Sequence, residues 1–213
     1  MTEPAALVVA IDGPASAGKG TLARRLAAEL NLPHLDTGVL YRATGRRVLD
    51  AGDDPADAGA AERAALGLLP ADLARGDLRG TEADRAASLV AAVPTVRAAL
   101  LAFQRRIAAA GAVLDGRDIG TVVWPQAPVK LFVTASADAR ARRRWLELTA
   151  KGAAVTEAEV AAAMRDRDAQ DAGRSAAPLR PAADAVLLDT TDQDAEAVYR
   201  QALEIVRARV GSA

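Results

Sequence analysis

The sequence contains no cysteine, which excludes disulfides, thiol nucleophiles and cysteine metal sites. It has one histidine, His34. A serine-hydrolase triad would have to use that residue, but next to Pro33 and ahead of a short apolar segment it reads as a packing residue. Aromatic side chains make up only 3% of the 213 residues against 51% hydrophobic, so the core must be built from alanine, leucine and valine. Excess charge is also scarce: a formal net charge of −1 gives no global case for nucleic-acid or anionic-membrane partners, and any basic site must be local. No apolar run approaches the length of a membrane span. With Glu3 and Pro4 ahead of the short run at 7–11, no signal peptide is expected, and a soluble cytoplasmic protein follows. The length suits one domain with insertions.

What is present alternates between short buried runs and amphipathic stretches. Residues 7–11 form a continuous apolar run, the mark of a buried parallel strand. Leu22, Leu26 and Leu30 then make one helical stripe, and 31–35 holds a helix exit and a second brief strand. From 50 to 78 the pattern weakens into a Gly-, Pro- and Asp-punctuated excursion, partly helical. Residues 84–92 and 96–110 read as helices, 112–114 and 129–134 as strands, and 138–149 as an arginine-bearing helix. Thr156 and Glu159 have capping-box spacing for another helix, 184–189 is a last strand, and 195–210 a closing helix. Strand alternating with helix predicts an α/β protein with a five-stranded, mostly parallel sheet.

The first strand runs into Gly13-Pro14-Ala15-Ser16-Ala17-Gly18-Lys19-Gly20-Thr21. Glycines at the ends of such a loop let backbone N–H groups crowd an anion. The lysine adds a point charge for the β- and γ-phosphates, and the next helix aims its positive N-terminus there. The loop departs from G-x-x-x-x-G-K-[ST] because Gly20 stands where a hydroxyl is expected and Thr21 follows it. A G-K-G-T ending resembles nucleoside monophosphate kinases more than GTPases or ATPase motors.

Ligands of parallel sheets sit at the carboxyl ends of the strands, and two further polar clusters fall there: Asp36-Thr37-Gly38 and Asp115-Gly116-Arg117-Asp118. Asp115 could hold Mg²⁺ directly or through water, with the Thr21 hydroxyl as a second oxygen; a helix cap or a salt bridge to Arg117 is the plain alternative. In the mixed-charge run 165–174, Arg167, Asp171 and Arg174 fall within a sector of about 60° at about 100° per residue, if the helix persists to 174. That face could present two guanidiniums and a carboxylate to a phosphate and a ribose, or could be a solvated surface.

Taken together, the loop at 13–21, Leu-Asp-Thr-Gly with Tyr-Arg at 35–42, Asp-Gly-Arg-Asp-Ile-Gly-Thr-Val-Val at 115–123, Ala-Pro-Val-Lys-Leu-Phe at 127–132 and Arg-Asp-x-x-Asp with Arg-Ser-Ala-Ala-Pro-Leu at 167–179 resemble the bacterial cytidylate kinase family, in order and through nearly the whole chain. The resemblance implies a three-layer P-loop kinase fold with a central five-stranded parallel sheet, a shortened NMP-binding insert and a helical lid. It implies one domain over 1–213, with a core at 1–42, 93–149 and 176–213, the insert at about 43–92 and the lid at about 150–175. The implied activity is transfer of the γ-phosphoryl group of MgATP to CMP or dCMP. By motif position, Lys19 and the loop hold the ATP phosphates, and Arg42 and Arg117 hold the CMP phosphate. Thr37, Ser88, Arg97 and Asp118 line the CMP pocket, while Arg167, Asp171 and Arg174 close over ribose and phosphates. Lys19, Arg117, Arg167 and Arg174 are the expected catalytic set. The protein is expected to act as a monomer on small molecules only.

Rival readings are a monophosphate kinase for UMP or AMP, and a non-catalytic nucleotide-binding module. The stretch between Arg42 and Ser88 is short and loop-rich, without clear strand pairs, where the family usually carries a small antiparallel sheet.

Overall fold

The structure is a computed structural model that describes residues 6–211; Glu3 and Pro4 lie outside the described residues. In chain order the elements are β1 (Val8–Asp12), α1 (Lys19–Leu30), β2 (His34–Asp36), α2 (Thr37–Asp50), α3 (Ala58–Leu66), α4 (Pro70–Leu73), α5 (Thr81–Ala91), α6 (Pro94–Ala109), β3 (Ala112–Gly116), a π-helical turn at Ile119–Val123, β4 (Val129–Thr134), α7 (Ala137–Ala150), α8 (Glu157–Gly173), β5 (Val186–Asp189) and α9 (Ala195–Val210). The five strands form one sheet in the order β2-β3-β1-β4-β5. The β1–β3, β1–β4 and β4–β5 pairs are parallel. Every residue of β1 and β3 is buried, which explains why both read as unbroken runs and not as alternations.

Two compact units divide the chain. The first holds the described residues up to Leu35 and from Ile107 onward, and the second is Asp36–Arg106. In the first, the 22 and 26 leucines of α1 and the Val198, Ala202, Leu203 and Val206 face of α9 bury against Val9, Ile11, Val113, Leu131 and Leu188 of the sheet. Register across β1 and β3 puts Ile11 beside Asp115 and Asp12 beside Gly116, so the phosphate loop and the 115–118 cluster leave the sheet at the same edge. A smaller cluster joins Ala141 and Leu148 of α7 to Val160 and Met164 of α8, with loop residue Ala15 packed against it. The Thr156 capping box is present: its hydroxyl accepts from Glu159 N and the Glu159 carboxylate accepts from Thr156 N.

Beyond Asp36, which ends β2, the second unit consists of helices and their connections; among the described residues no strand lies between 37 and 111. The stretch read as loop-rich is helical because alanines carry it: Ala60, Ala61, Ala64 and Ala65 of α3 pack with Leu40 and Val48 of α2 and with Val90, Val96 and Leu100. Asp57 caps α3 by accepting from Ala60 N. α2 begins at Thr37, directly after β2, where sequence reading had identified no helix. No single helix among the described residues is long and apolar enough to cross a membrane.

Candidate active site

The phosphate loop is built by constraints that only its own residues satisfy. Gly13 has φ of 146°, and a Cβ there would stand 1.9 Å from the carbonyl oxygen of Val133 on the neighbouring strand; no other residue fits. Lys19 opens α1, whose cap residue Gly18 makes no side-chain cap bond, so the backbone itself forms the anion-facing end of the helix. The Lys19 ammonium donates to Pro14 O at 2.7 Å. Burial first, and the Arg117 guanidinium next, push its pKa well below the usual lysine value, and bound phosphates would reverse that shift by supplying anions.

Side chains outside the loop bind two of its carbonyls. Arg140 of α7 donates to Ala15 O at 3.3 Å and forms a forked pair with Asp168 of α8 at 3.2 and 2.7 Å. Thr190 donates to Ala17 O at 3.1 Å and accepts from Arg143 at 2.9 Å. Peptide planes whose carbonyls are held away from the centre direct their N–H groups into it, as phosphate binding requires.

At the end of β3, Asp115 meets His34 Nε2 at 2.7 Å. His34 is therefore a polar partner of the strand-end carboxylate and not the packing residue that its neighbours suggested. The second Asp115 oxygen lies 3.7 Å from the Cβ position of Gly20, beside the end of the loop. The donor set thus fits Mg²⁺ carried by a nucleotide: the carboxylate and the Thr21 hydroxyl are hard oxygen donors, and Mg²⁺ takes most of its ligands from water and phosphates. Among the described residues no group of three acidic, histidine or cysteine side chains forms a protein-only metal cage.

Arg117 donates through Nε to Asp171 Oδ2 at 2.8 Å, and Arg174 pairs with the other Asp171 oxygen. Arg167 also acts on this carboxylate through space. Asp171 is 1% exposed. Burial alone would raise its pKa, but the guanidiniums of Arg117 and Arg174 outweigh burial and hold it below the usual carboxylate value. Arg167, Asp171 and Arg174 come together as expected, but not on one helical face: α8 ends at Gly173, and Arg174 follows it in extended conformation at φ −61° and ψ 136°. The pairing with Asp171 survives the helix end because Arg174 is the capping position.

Asp118 is buried and heads the π-helical turn at Ile119–Val123. The amides of that turn are bound by a residue that sequence reading missed: Asp12 accepts from Ile119 N at 2.7 Å and Gly120 N at 2.8 Å. Burial raises the Asp12 carboxyl to about 6, although the two amide hydrogen bonds lower it. The polar residue closing an apolar run was the only signal in the sequence for it.

In the helical unit, Arg42 donates to Asp36 at 2.8 Å, while its buried Nε has no acceptor among the described residues. A buried guanidinium edge without an acceptor suits an anionic ligand. Gly38 makes this pair possible, since a Cβ there would lie 2.8 Å from Arg42 Nη1 and 2.9 Å from Asp36 Oδ1. Arg97 donates to Ala91 O at 3.2 Å and lies over the Tyr41 ring at 5.3 Å, so Tyr41, quoted in sequence only as part of a motif, positions a proposed base reader. Thr37 is buried at the start of α2. Ser88 donates its hydroxyl to Asp84 O one turn back, at 3.1 Å.

The profile of the cytidylate kinase family matches residues 9–208. A cytidylate kinase of Granulibacter bethesdensis is 63% identical over 204 residues, covering 95% of this chain and 98% of its own. One from Acidiphilium cryptum is 60% identical over 207 residues, with 97% of both chains covered. The fold matches that of an uncharacterized protein from Eubacterium ventriosum at a TM-score of 0.53 and 13% identity, over 96% of this chain and 98% of that one; this likeness concerns the fold alone. With the family profile spanning nearly the whole chain, and relatives this similar along their full lengths, the chain belongs to the cytidylate kinase family.

Proposed function

We propose that this protein transfers the γ-phosphoryl group of ATP, with Mg²⁺, to CMP or dCMP, giving ADP and CDP or dCDP. The observation that carries the reading is the gathering of Arg117, Arg167 and Arg174 about the buried Asp171, in the same unit as a phosphate loop whose Lys19 feels both Arg117 and Arg167. Such a cluster has more cationic than anionic groups, which matches phosphates under transfer.

In this reading the loop amides of 13–21 and Lys19 hold the ATP phosphates. Arg42 and Arg117 hold the phosphate of the acceptor nucleotide. One of its oxygens attacks the γ-phosphorus, the bond from that phosphorus to the β,γ-bridging oxygen breaks, and ADP leaves. Asp115 and Thr21 would hold Mg²⁺, which would supply charge neutralisation for the transferring phosphoryl group. No side chain forms a covalent bond: the arginines align the reacting oxygens in line and stabilise the spread charge. Arg167, Asp171 and Arg174 belong to a lid at about 150–175 that excludes water when the substrates are bound. The insert at about 43–92 serves the acceptor.

Selectivity rests on hydrogen-bond polarity. Cytosine presents an exocyclic amine beside N3 and O2 acceptors, so the Asp118 carboxylate faces the amine while Arg97 faces the acceptors; uracil reverses N3 and the exocyclic group. Two mismatched buried groups, each costing on the order of 1–3 kcal/mol, make CMP better than UMP by at least roughly tenfold. Thr37 and Ser88 complete the acceptor set. One chain supplies every residue with a role, so a monomer suffices, and the cytoplasm is where its substrates are found. The test is ADP release from ATP and Mg²⁺ with CMP, dCMP, UMP or AMP: CMP and dCMP should be fastest, and faster turnover of AMP than CMP would overturn the reading.

A further inference from the structure

We infer that Asp12 is a positioning residue for the acceptor nucleotide: its carboxylate fixes the π-helical turn that directly follows Arg117 and Asp118, and thereby sets the base-reading and phosphate-holding groups against the phosphate loop that follows Asp12. The inference rests on the functional reading above.

Three observations support it. Asp12 is the last residue of β1, one residue before Gly13, so its backbone is part of the anchor of the phosphate loop. Its two oxygens each accept one amide, Ile119 N at 2.7 Å and Gly120 N at 2.8 Å, and these are the first two residues of the turn that follows Asp118. The bonds span more than a hundred positions of sequence and tie the ends of β1 and β3 together beyond their last paired residues, Asp12 and Gly116.

The turn needs such a partner. Opening amides of any helical turn lack intrahelical acceptors, and Asp118, in the capping position, makes no side-chain cap bond. A distant carboxylate therefore performs the capping task that Asp commonly performs in place. The turn itself is unusual: Val123 N donates to Asp118 O at 3.1 Å and Trp124 N to Ile119 O at 2.7 Å, the five-residue spacing that recurs at functional sites. A buried carboxylate with both oxygens committed to two adjacent amides fixes the direction in which residues 117 and 118 enter the turn. It touches no substrate in this scheme, and acts through Asp118 and Arg117.

Asp12→Asn tests this directly, because an amide retains one acceptor and turns an N–H₂ toward the second backbone N–H. Gly120→Ala perturbs the same contact from the other side with Asp12 retained: its Cβ would lie 3.4 Å from Asp12 Oδ2 and 3.2 Å from the flexible Lys130 side chain. Steady-state kinetics with CMP, UMP and ATP are measured for wild type and both variants. For Asp12→Asn the expected results are a fall of about tenfold or more in kcat/KM for CMP, a CMP-over-UMP preference reduced at least about threefold, and KM for ATP within about twofold of wild type. Gly120→Ala should move the same quantities in the same direction by less, and carries the test alone if Asp12→Asn does not fold. An unchanged CMP-over-UMP preference in the folded variants, or parallel losses for CMP and ATP at constant preference, overturns the positioning role. A wild-type protein that does not phosphorylate CMP overturns the functional reading on which that role rests.

Discussion

The sheet-based unit carries its charges inward, whereas the helical unit keeps them outside. In the first, Asp12, Lys19, Asp115, Asp118, Arg140 and Asp171 are all buried; in the second, Arg97 is the one buried charged residue among the described residues. Apart from the half-buried Arg42–Asp36 pair, charges of the helical unit form chains nearer the surface, such as Arg46 with Asp50 and Glu82, and Arg75 with Asp50 and Asp77. Buried charges are expensive unless paired, and a fold of this size has no need of six for stability alone. Their concentration in the unit that holds the phosphate loop is what the proposed phosphoryl transfer requires. In the proposed function the helical unit contributes Arg42 toward one phosphate and Arg97 toward one base edge.

The largest effect should come from breaking the inward network at its centre. Asp171→Ala leaves Arg117 and Arg174 without their shared carboxylate, and loss of one partner of a buried pair costs about 3–5 kcal/mol. Urea unfolding at neutral pH reads the stability loss, and CMP turnover should fall with it; a variant as stable and active as wild type would show the buried network to be incidental. Because the Asp171 carboxyl lies below its ordinary value, its contribution is present above the unfolded carboxylate range near pH 4 and is lost as pH falls through the folded value.

Asp12 should behave with the opposite sign. A carboxyl raised from 3.8 to about 6 holds its proton more tightly in the folded chain, so its stabilisation is complete below about pH 4 and is lost as pH rises through about 6. The stability difference between wild type and Asp12→Asn should therefore move against wild type by about 2 kcal/mol between about pH 4 and 6.5. A flat difference over that range would place the carboxyl at its ordinary value.

A smaller and more selective effect is expected at Asp118, the proposed base reader. Asp118→Ala should reduce the CMP-over-UMP preference by about tenfold with ATP affinity nearly kept; equal loss of both affinities would make Asp118 structural. The smallest belongs to the surface chains of the helical unit. Arg75→Ala removes two exposed pairs and should leave turnover unchanged, with the thermal midpoint shifted by less than about 2 °C.

Local signals were legible in the sequence and contacts between distant segments were not. The parallel strands, the loop at 13–21 and the Thr156 capping box all follow from patterns a few residues long, and the structure contains each of them. His34 and Asp115 are 81 positions apart, and Asp12 and Ile119 are 107 apart; no local period encodes either pair. α2 went unseen because Gly38, Thr44 and Gly45 weaken its helical propensity, while tertiary packing of Leu40 and Val48 supports it. The 167–174 sector depended on a helix persisting to 174, and that condition is not met, because α8 ends at Gly173 and Arg174 is its cap.

The division between the two units is tested most directly by measuring KM for ATP and for CMP in two variants side by side, Arg42→Ala in the helical unit and Lys19→Ala in the phosphate loop. The account predicts that Arg42→Ala raises KM for CMP about tenfold or more, with KM for ATP within about twofold of wild type, since a lost charge-assisted bond to phosphate affects one substrate only. Lys19→Ala should instead impair ATP use and collapse kcat, leaving CMP binding largely intact. A parallel rise of both constants in both variants would contradict it.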